Sequence, residues 1–560
     1  MANAKRPAHP GATAITRPPE PSAAGSKAER AGAVSQRRFF EVFLFVCGMA
    51  VMIVELAASR LLAPFFGDSL VVWANLIGII MLGLTLGYYW GGRYADRHPH
   101  VRPLLVVVAV AGVWVGLLPL LSRPLFRLLQ AGIFGTPAGL IVLSFFGATL
   151  AFLPPVILLG WVSPYVLRLL NRSVEESGQL AGRLYAISTL GSLAGTFLPS
   201  LVTIPLLGTT ATFAIAAAAL ILVSAWGWLA TLSRPRSSRL FARLPALLVF
   251  LVLLGVPGVV GFRLTGPLKP VPGLVAEVET PYQFAQVIQA GDTRYLTVNE
   301  GGGIQSLYRP GSPYGTGFYY DYFALLPYLL SLNHSLAERR QALLIGYAGG
   351  TVARQLVELP AAYRMQVQAV EIDPALLRLG REYMGGIPPQ VSVAVGDGRI
   401  WLSADRRRYD LIIVDAYAQE MYIPFQLSTQ EFFTEAKKRL SPDGILAINV
   451  NATQTGGLLA SFYRTLARVF PYVYWSRAGG VMNWLLIGSS KPLTPAGLAE
   501  RVRRDGPVQL AEVARQLEAG WRSTPPSGRA VLLRDDRAPV ELLTDWMIFT
   551  YRNPASPPAR

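Results

Sequence analysis

One cysteine, four histidines and few charges mark this chain of 560 residues. Cys47 lies inside an apolar segment, so neither a disulfide framework nor a thiolate metal site can be assembled around it. The histidines (His9, His98, His100, His334) are scattered. Their only close pair, His98 and His100, flanks Pro99 in a basic loop and reads as solvated rather than metal-binding. Charged residues make up 15% of the chain and hydrophobic ones 52%, more than one soluble core requires, so a membrane is implied. Acids are scarcest in the first half: 20 Lys and Arg stand against 8 Asp and Glu up to Phe262, and 31 against 26 beyond it. The basic residues punctuate apolar spans instead of lining one stripe, which weighs against a nucleic-acid footprint and favours a lipid bilayer.

Residues 1–38, rich in Ala, Pro, Gly, Ser and basic side chains without hydrophobic periodicity, read as a disordered basic tail. They are not a cleavable signal peptide, because the apolar segment after them begins too late and is too long. From 39 to 262, apolar stretches of spanning length, ~20 residues, alternate with short loops. The stretches lie near 39–62, 71–92, 103–122, 137–160, 185–207, 209–232 and 245–262. Basic loops recur after every second span ("GGRYADRHPHVR", "RLLNRSVEESGQLAGR", "SRPRSSRLFAR"), which puts them and the tail in the cytoplasm. Six spans return the chain to that side, yet 245–262 would be a seventh and would export the remainder of the chain. That stretch is short and holds two prolines, so a re-entrant segment, or a hidden crossing in 137–170, also fits, and six to eight helices are expected. Gly83, Gly87, Gly91, Gly191 and Gly195, spaced by four, read as sites of close helix approach. Glu55 and Arg60, in or at the end of the first span, read as an ion pair, or as Arg60 reaching to the interface, ahead of a route for a polyamine or lipid-linked substrate.

After "LTGPLKPVPG" the composition becomes that of a soluble domain. Residues 275–308 alternate apolar and polar and read as a small antiparallel sheet of hairpins. Within 309–560, short β-rich runs (ALLIG, VQAVEI, VSVAV, YDLIIVD, ILAINV) alternate with helix-like segments, the order of a doubly wound parallel sheet. Its ligand belongs at the carboxyl ends of the strands. Those ends carry a consistent set of residues. The first opens a loop with Gly346, Gly349 and Gly350, where the backbone can approach a ligand. The second ends at Glu371, placed to accept from ribose hydroxyls. The third is followed by Asp397, able to accept from an adenine amino group, and the fourth ends at Asp415. Without a GxGxxG phosphate cradle, the set points to an adenosine ligand.

Residues 275–490 resemble the spermidine synthase (polyamine aminopropyltransferase) family. The resemblance rests on Pro281–Tyr282–Gln283, "GGGIQS" with Gln305 and Ser306, "YYDYFALLP", the glycine loop, "VEIDP", "GDGR" and "LIIVDAY". The first half is similar to the membrane part of fused members through "VELAASRLLAPFFGDSLVVWA" and "GRLYAISTLGSLAGT". The resemblance implies a multi-pass α-helical membrane domain followed by an α/β class I S-adenosylmethionine-type Rossmann domain with a small N-terminal antiparallel β-sheet. It further implies aminopropyl transfer from decarboxylated S-adenosylmethionine, as co-substrate, to an amine such as putrescine, with no prosthetic group and no metal. Gln283 joins the donor-binding set; Gln305, Tyr320 and Tyr417 become substrate-binding; Asp415, Glu420 and Asp321 become catalytic, Asp321 gripping the far ammonium. Two departures stand out: Tyr347 and Ala348 occupy the place of the acid that usually holds the donor's amine, and Ala418 the place of a second catalytic acid, for which Glu420 in the longer loop substitutes. A methyltransferase or other S-adenosyl-sulfonium enzyme of the same fold stays open, as does a transporter or scaffold whose soluble domain senses a nucleoside. A cytosolic donor implies a cytoplasmic catalytic domain in the cell membrane. The partners are then a small amine and the bilayer, with no nucleic acid; a homodimer is left open.

Overall fold

The computed structural model describes residues 23–66, 70–132, 137–171, 177–231, 255, 267–299, 303–330, 340–418, 421–480 and 482–550. Glu420 and the apolar stretch 245–262 lie outside them. The first half is helical: α1 (Ala23–Phe66), α2 (Leu70–Arg97), α3 (Val101–Gly132), α4 (Pro137–Gly160), α5 (Val162–Leu170), α6 (Ser177–Leu198) and α7 (Ile204–Thr231). Helix α1 begins at Ala23, inside the stretch that composition marks as a tail, where closely spaced alanines supply helix propensity. Among the described residues, five helical runs are long and apolar enough to cross a membrane. The last of them, 177–230, is 54 residues long, about 80 Å at 1.5 Å per residue, and thus too long for one crossing. It is broken near Gly208, whose φ of +82° is non-helical, so α6 and α7 are two helices, each long enough to cross a membrane.

The helices pack by close backbone approach, the mode that serves where no hydrophobic drive acts between helices. Gly191 and Gly195 of α6 lie directly against the carbonyls of Phe45 and Met49 of α1, where any Cβ would collide. The ascending pairs make α1 and α6 parallel. Gly83, Gly87 and Gly91 do the same for α2 against Val156, Gly160 and Trp161. Helices α3 and α7 run antiparallel, Leu105 lying beside Gly227 at one end and Arg123 bonding Thr210 at the other. No ion pair joins Glu55 to Arg60. Arg60 instead donates to the carbonyls of Thr280, at 3.1 Å, and Pro281.

Strands β1 (Leu274–Glu279), β2 (Phe284–Ala290), β3 (Thr293–Val298) and β4 (Ile304–Tyr308) form an antiparallel sheet in that order, as the alternation leads one to expect. Seven more follow: β5 (Arg340–Ile345), β6 (Met365–Glu371), β7 (Val391–Val395), β8 (Tyr409–Val414), β9 (Leu440–Asn451), β10 (Tyr472–Arg477) and β11 (Asn483–Ser489). Their order is β10-β11-β9-β8-β5-β6-β7, with β9, β8, β5, β6 and β7 parallel and β11 and β10 antiparallel at one edge. The central strands are apolar throughout because both faces are covered. Ala342, Leu344, Leu411 and Ile413 enter one core, and Leu343, Ile345, Ile412 and Val414 the other. Each such buried aliphatic contributes about 1.5–3 kcal/mol, so a charge at Ile413 would break the sheet. The small sheet packs through Val287, Leu296 and Val298 onto Leu376 and Leu379 of the helix that follows β6 and onto Met384 just after it. This docking brings its 280–283 turn beside the switch point between β5, β6 and β8, where ligands of such sheets bind.

Candidate active site

Gly346 ends β5 with φ +93°, and any Cβ there would collide with the Asp415 carbonyl at the end of β8. Only glycine lets the two strand ends close in this way. The carboxylate of Glu371, 6% exposed, then organises the glycine loop: Oε2 accepts from the backbone N–H of Tyr347 (3.0 Å) and Ala348 (2.8 Å), and Oε1 from that of Asp373 (3.0 Å). Burial raises its pKa while the three N–H groups oppose the rise. Asp373 joins the two sheets. Its Oδ1 caps the helix Pro374–Tyr383 at Ala375 N, and its Oδ2 accepts from the Thr280 hydroxyl (2.7 Å) and the Gln283 amide (3.4 Å). Asp397 caps the helix Gly398–Ala404 through Oδ1.

These elements surround a cavity of about 450 Å³, within the range of small-molecule sites. Gln283, Gln305, Gly346, Glu371, Asp397, Asp415 and Tyr417 all line it, so most of the expected site is brought together. Asp415 sits at its floor. The Tyr319 hydroxyl donates to Oδ2 at 3.1 Å, while Oδ1 is buried without a hydrogen-bond partner among the described residues, although the Asn449 amide lies near enough to favour the charge. Part of the Asp415 surface opens to the cavity and protein surrounds the rest; that desolvation pushes its pKa up to about 7, against the pull of Tyr319 and Asn449. Tyr319 itself is held well above the usual phenol range by burial and by Asp415, so it stays a donor. Tyr417 donates to the Asn449 carbonyl at 2.9 Å, which fixes its ring at the wall.

Several expected residues are elsewhere. Asp321 is buried away from the cavity: Oδ2 accepts from Thr316 N (2.7 Å), Thr316 Oγ1 (2.9 Å) and Gly317 N (3.2 Å), and Oδ1 from Gln355 Nε2 (2.8 Å). With four donors already around it, this carboxylate is a loop clamp and cannot grip an ammonium in the cavity. Tyr320 donates to the Ile304 carbonyl at 2.5 Å and does not line the cavity either. Gly349 and Gly350 stand behind the wall, Gly349 N donating to Ser306 Oγ at 2.9 Å and Gly350 opening a helix. Two residues went unnoticed in the sequence. Tyr319 lies beside Tyr320 in the "YYDYF" run, the ring centres 4.3 Å apart, yet its hydroxyl reaches Asp415 where that of Tyr320 bonds the Ile304 carbonyl; Glu541, at the start of the C-terminal helix Val540–Thr550, lines the cavity although no motif surrounds it.

The lining carries four carboxylates (Glu371, Asp397, Asp415, Glu541) and the rings of Tyr282, Tyr417 and Phe425, with no Lys, Arg or His. Such a wall suits a cation and rejects a phosphate or a free carboxylate. The backbone N–H groups of Tyr347 and Ala348, which would otherwise receive an anion, are occupied by Glu371. Among the described residues, no three His, Cys, Asp or Glu side chains stand together as a metal site.

Residues 329–476 match the spermine/spermidine synthase domain. The chain is similar to a probable polyamine aminopropyl transferase of Bifidobacterium longum, with 32% identity over 48% of this chain and 62% of that protein, so it spans less than two thirds of that relative. It is also similar to a polyamine aminopropyltransferase of Corynebacterium efficiens, with 26% identity over 74% of this chain and 77% of the relative. Among solved structures, a probable spermidine synthase from Corynebacterium glutamicum matches with 19% identity and a TM-score of 0.36, covering 46% of this chain and 97% of that one.

Proposed function

We propose that this membrane-integrated chain transfers an aminopropyl group from decarboxylated S-adenosylmethionine to an amine such as putrescine. The observation that carries the reading is the acid-lined, aromatic cavity with no cationic side chain. Decarboxylated S-adenosylmethionine presents a sulfonium and an ammonium and no carboxylate, which suits that wall; the intact molecule would bring a carboxylate to a place without a free donor for it. The match of residues 329–476 and the similarity to aminopropyltransferases agree with this chemistry.

Glu371 accepts from the ribose hydroxyls and Asp397 from the adenine amino group, as Gln283 and the glycine loop shape the nucleoside shelf. The rings of Tyr282, Tyr417 and Phe425 surround positive charge, each cation–π contact being worth ~0.5–2 kcal/mol. Gln305 and a second acid, Glu541 or Glu420, orient the amine. The amine must be neutral to attack. Asp415, with a pKa near 7, takes the proton from its ammonium form. The amine nitrogen then bonds the methylene carbon beside the sulfonium, the carbon–sulfur bond breaks, and its electron pair returns to sulfur, leaving neutral methylthioadenosine. The product amine carries the positive charge away. The test is calorimetry of the full-length protein in detergent with decarboxylated S-adenosylmethionine, the intact parent and methylthioadenosine, followed by mass spectrometry of products. Tighter binding of the decarboxylated donor with formation of spermidine supports the reading; turnover of the intact parent into a methylated product replaces it with methyl transfer.

A further inference from the structure

The two ends of the helical bundle differ in charge and in what is attached to them. At one end Phe39 packs on Trp226 with ring centres 5.0 Å apart, Arg102 lies over Trp228, Arg183 pairs with Glu41 at 2.8 Å and Arg168 with Asp96 at 3.1 Å. The Tyr165 hydroxyl donates to the carbonyls of His98 (2.5 Å) and His100 (3.1 Å). This end therefore gathers the start of α1, the α2–α3 loop, Arg168 of α5, Arg183 of α6 and the end of α7. Tyr88, Tyr89, Trp90, Tyr185 and Trp226 are exposed near it, as an interfacial aromatic belt would be.

The soluble domain is attached to the other end. Lys269 donates to the Pro64 carbonyl at 2.7 Å, and Arg127 to that of Leu268 at 3.5 Å. Glu279 accepts from the backbone N–H (3.3 Å) and the hydroxyl of Thr209, and Arg60 holds Thr280 and Pro281. Along α7, Thr209 and Trp228 are separated by about 28 Å of helix at 1.5 Å per residue, the thickness of a bilayer core. We infer that the Rossmann domain and its cavity stand on the membrane face opposite the basic loops, outside the cytoplasm.

Two observations agree on this. The bias of Lys and Arg in short loops fixes the basic end in the cytoplasm. The hydrogen bonds fix the domain to the far end. Thr231 and Pro267 then lie on opposite faces; the apolar stretch 245–262, outside the described residues, is by its sequence at the lower end of spanning length, which is about 17–25 residues. The parity that an even number of crossings would give is thereby replaced, and with it the expectation of a cytoplasmic domain. The inference is independent of the chemistry in the cavity. Joined to aminopropyl transfer, it requires that the S-adenosyl donor be carried across the membrane, while amines outside the cell reach the cavity directly.

The natural chain suits a cysteine-labelling test, because its lone thiol, Cys47, is 3% exposed within the bundle. Full-length Arg503→Cys, in an exposed helix of the soluble domain, and Arg97→Cys, at the basic end, are treated in intact cells with a membrane-impermeant maleimide. Arg503→Cys should be labelled at least tenfold faster than Arg97→Cys, which should react only after permeabilisation. The reverse order, or equal labelling of both, overturns the inference. Should either variant fail to accumulate, alkaline phosphatase fused after Arg560 of the unaltered chain gives the second reading: active phosphatase supports the inference and inactive phosphatase at normal expression rejects it. Transfer activity in detergent is measured separately and does not depend on sidedness, so failure of the chemistry and failure of the topology are told apart.

Discussion

The Tyr319 hydroxyl donates to Asp415 Oδ2 at 3.1 Å, and this neutral donor is one of the two groups that favour the charged form of a carboxylate otherwise disfavoured by burial. Because Asp415 acts only when deprotonated, turnover should rise with pH through about 7. Removing the hydroxyl in Tyr319→Phe withdraws a bond to a charged acceptor, about 1.5 kcal/mol, or roughly one pKa unit. The acid limb of the pH–kcat profile should shift upward by that amount. Asp415→Asn should lower kcat by roughly 10²- to 10⁴-fold and flatten the limb. A limb that stays in place in Tyr319→Phe would show that Asp415 is not the base.

Glu371→Gln should weaken methylthioadenosine binding by roughly 10- to 100-fold, the effect of losing a charged acceptor worth ~1.5–3 kcal/mol. The glutamine oxygen can still accept from Tyr347 and Ala348, but its amide then faces the Asp373 N–H, so far-ultraviolet circular dichroism is recorded beside the titration and should show native secondary structure. Calorimetry returning the native Kd would remove the ribose assignment.

The acid that holds the amine is decided by comparing Glu541→Gln with Glu420→Gln. The residue in that role should raise KM for putrescine about tenfold, the loss of a charge-assisted bond of ~1.4 kcal/mol, while leaving nucleoside affinity alone. If Glu420 is instead the base displaced from position 418, its amide variant should lose kcat and recover part of it at higher pH, where neutral amine is supplied by solution. Native kinetics in both variants would leave Asp415 as the sole acid acting on the amine.

The sequence carried the sheet more clearly than the site. Short apolar runs such as ALLIG and LIIV, alternating with helix-like segments, read as strands covered on both faces, and the acids at or just after their ends line the cavity. Asp321 looked equivalent to those acids because the residue type and its tyrosine neighbours are all that a sequence shows. The four donors that enclose its carboxylate come from the backbone turn at 316–317 and from Gln355. Glu541 and Arg60 were illegible for a different reason. Glu541 meets the cavity only through tertiary packing of the C-terminal helix, where Tyr422 bonds Asp545 at 2.5 Å, and Arg60 meets its acceptors across 220 residues of chain.

Arg60→Leu should lower nucleoside affinity about fivefold, since two carbonyls that fix the 280–283 turn lose their donor at ~1 kcal/mol net. Helix content and membrane insertion should be native, because leucine suits the end of an apolar helix. Calorimetry with methylthioadenosine reads the effect; an unchanged Kd would mean that the turn is held by Thr280 and Asp373 alone.

The bond from Arg60 to the 280–283 turn has a practical meaning for anyone who would trim this protein to a soluble piece. Thr280 hands the connection on to Asp373, and Asp373 to the loop that Glu371 organises. A fragment beginning at Pro267 would keep every described strand and every residue that lines the cavity. Its cavity would nonetheless have lost the guanidinium that braces the 280–283 turn from the helical bundle. Inhibitors ranked on such a fragment would be ranked against a looser mouth than the one the intact protein presents.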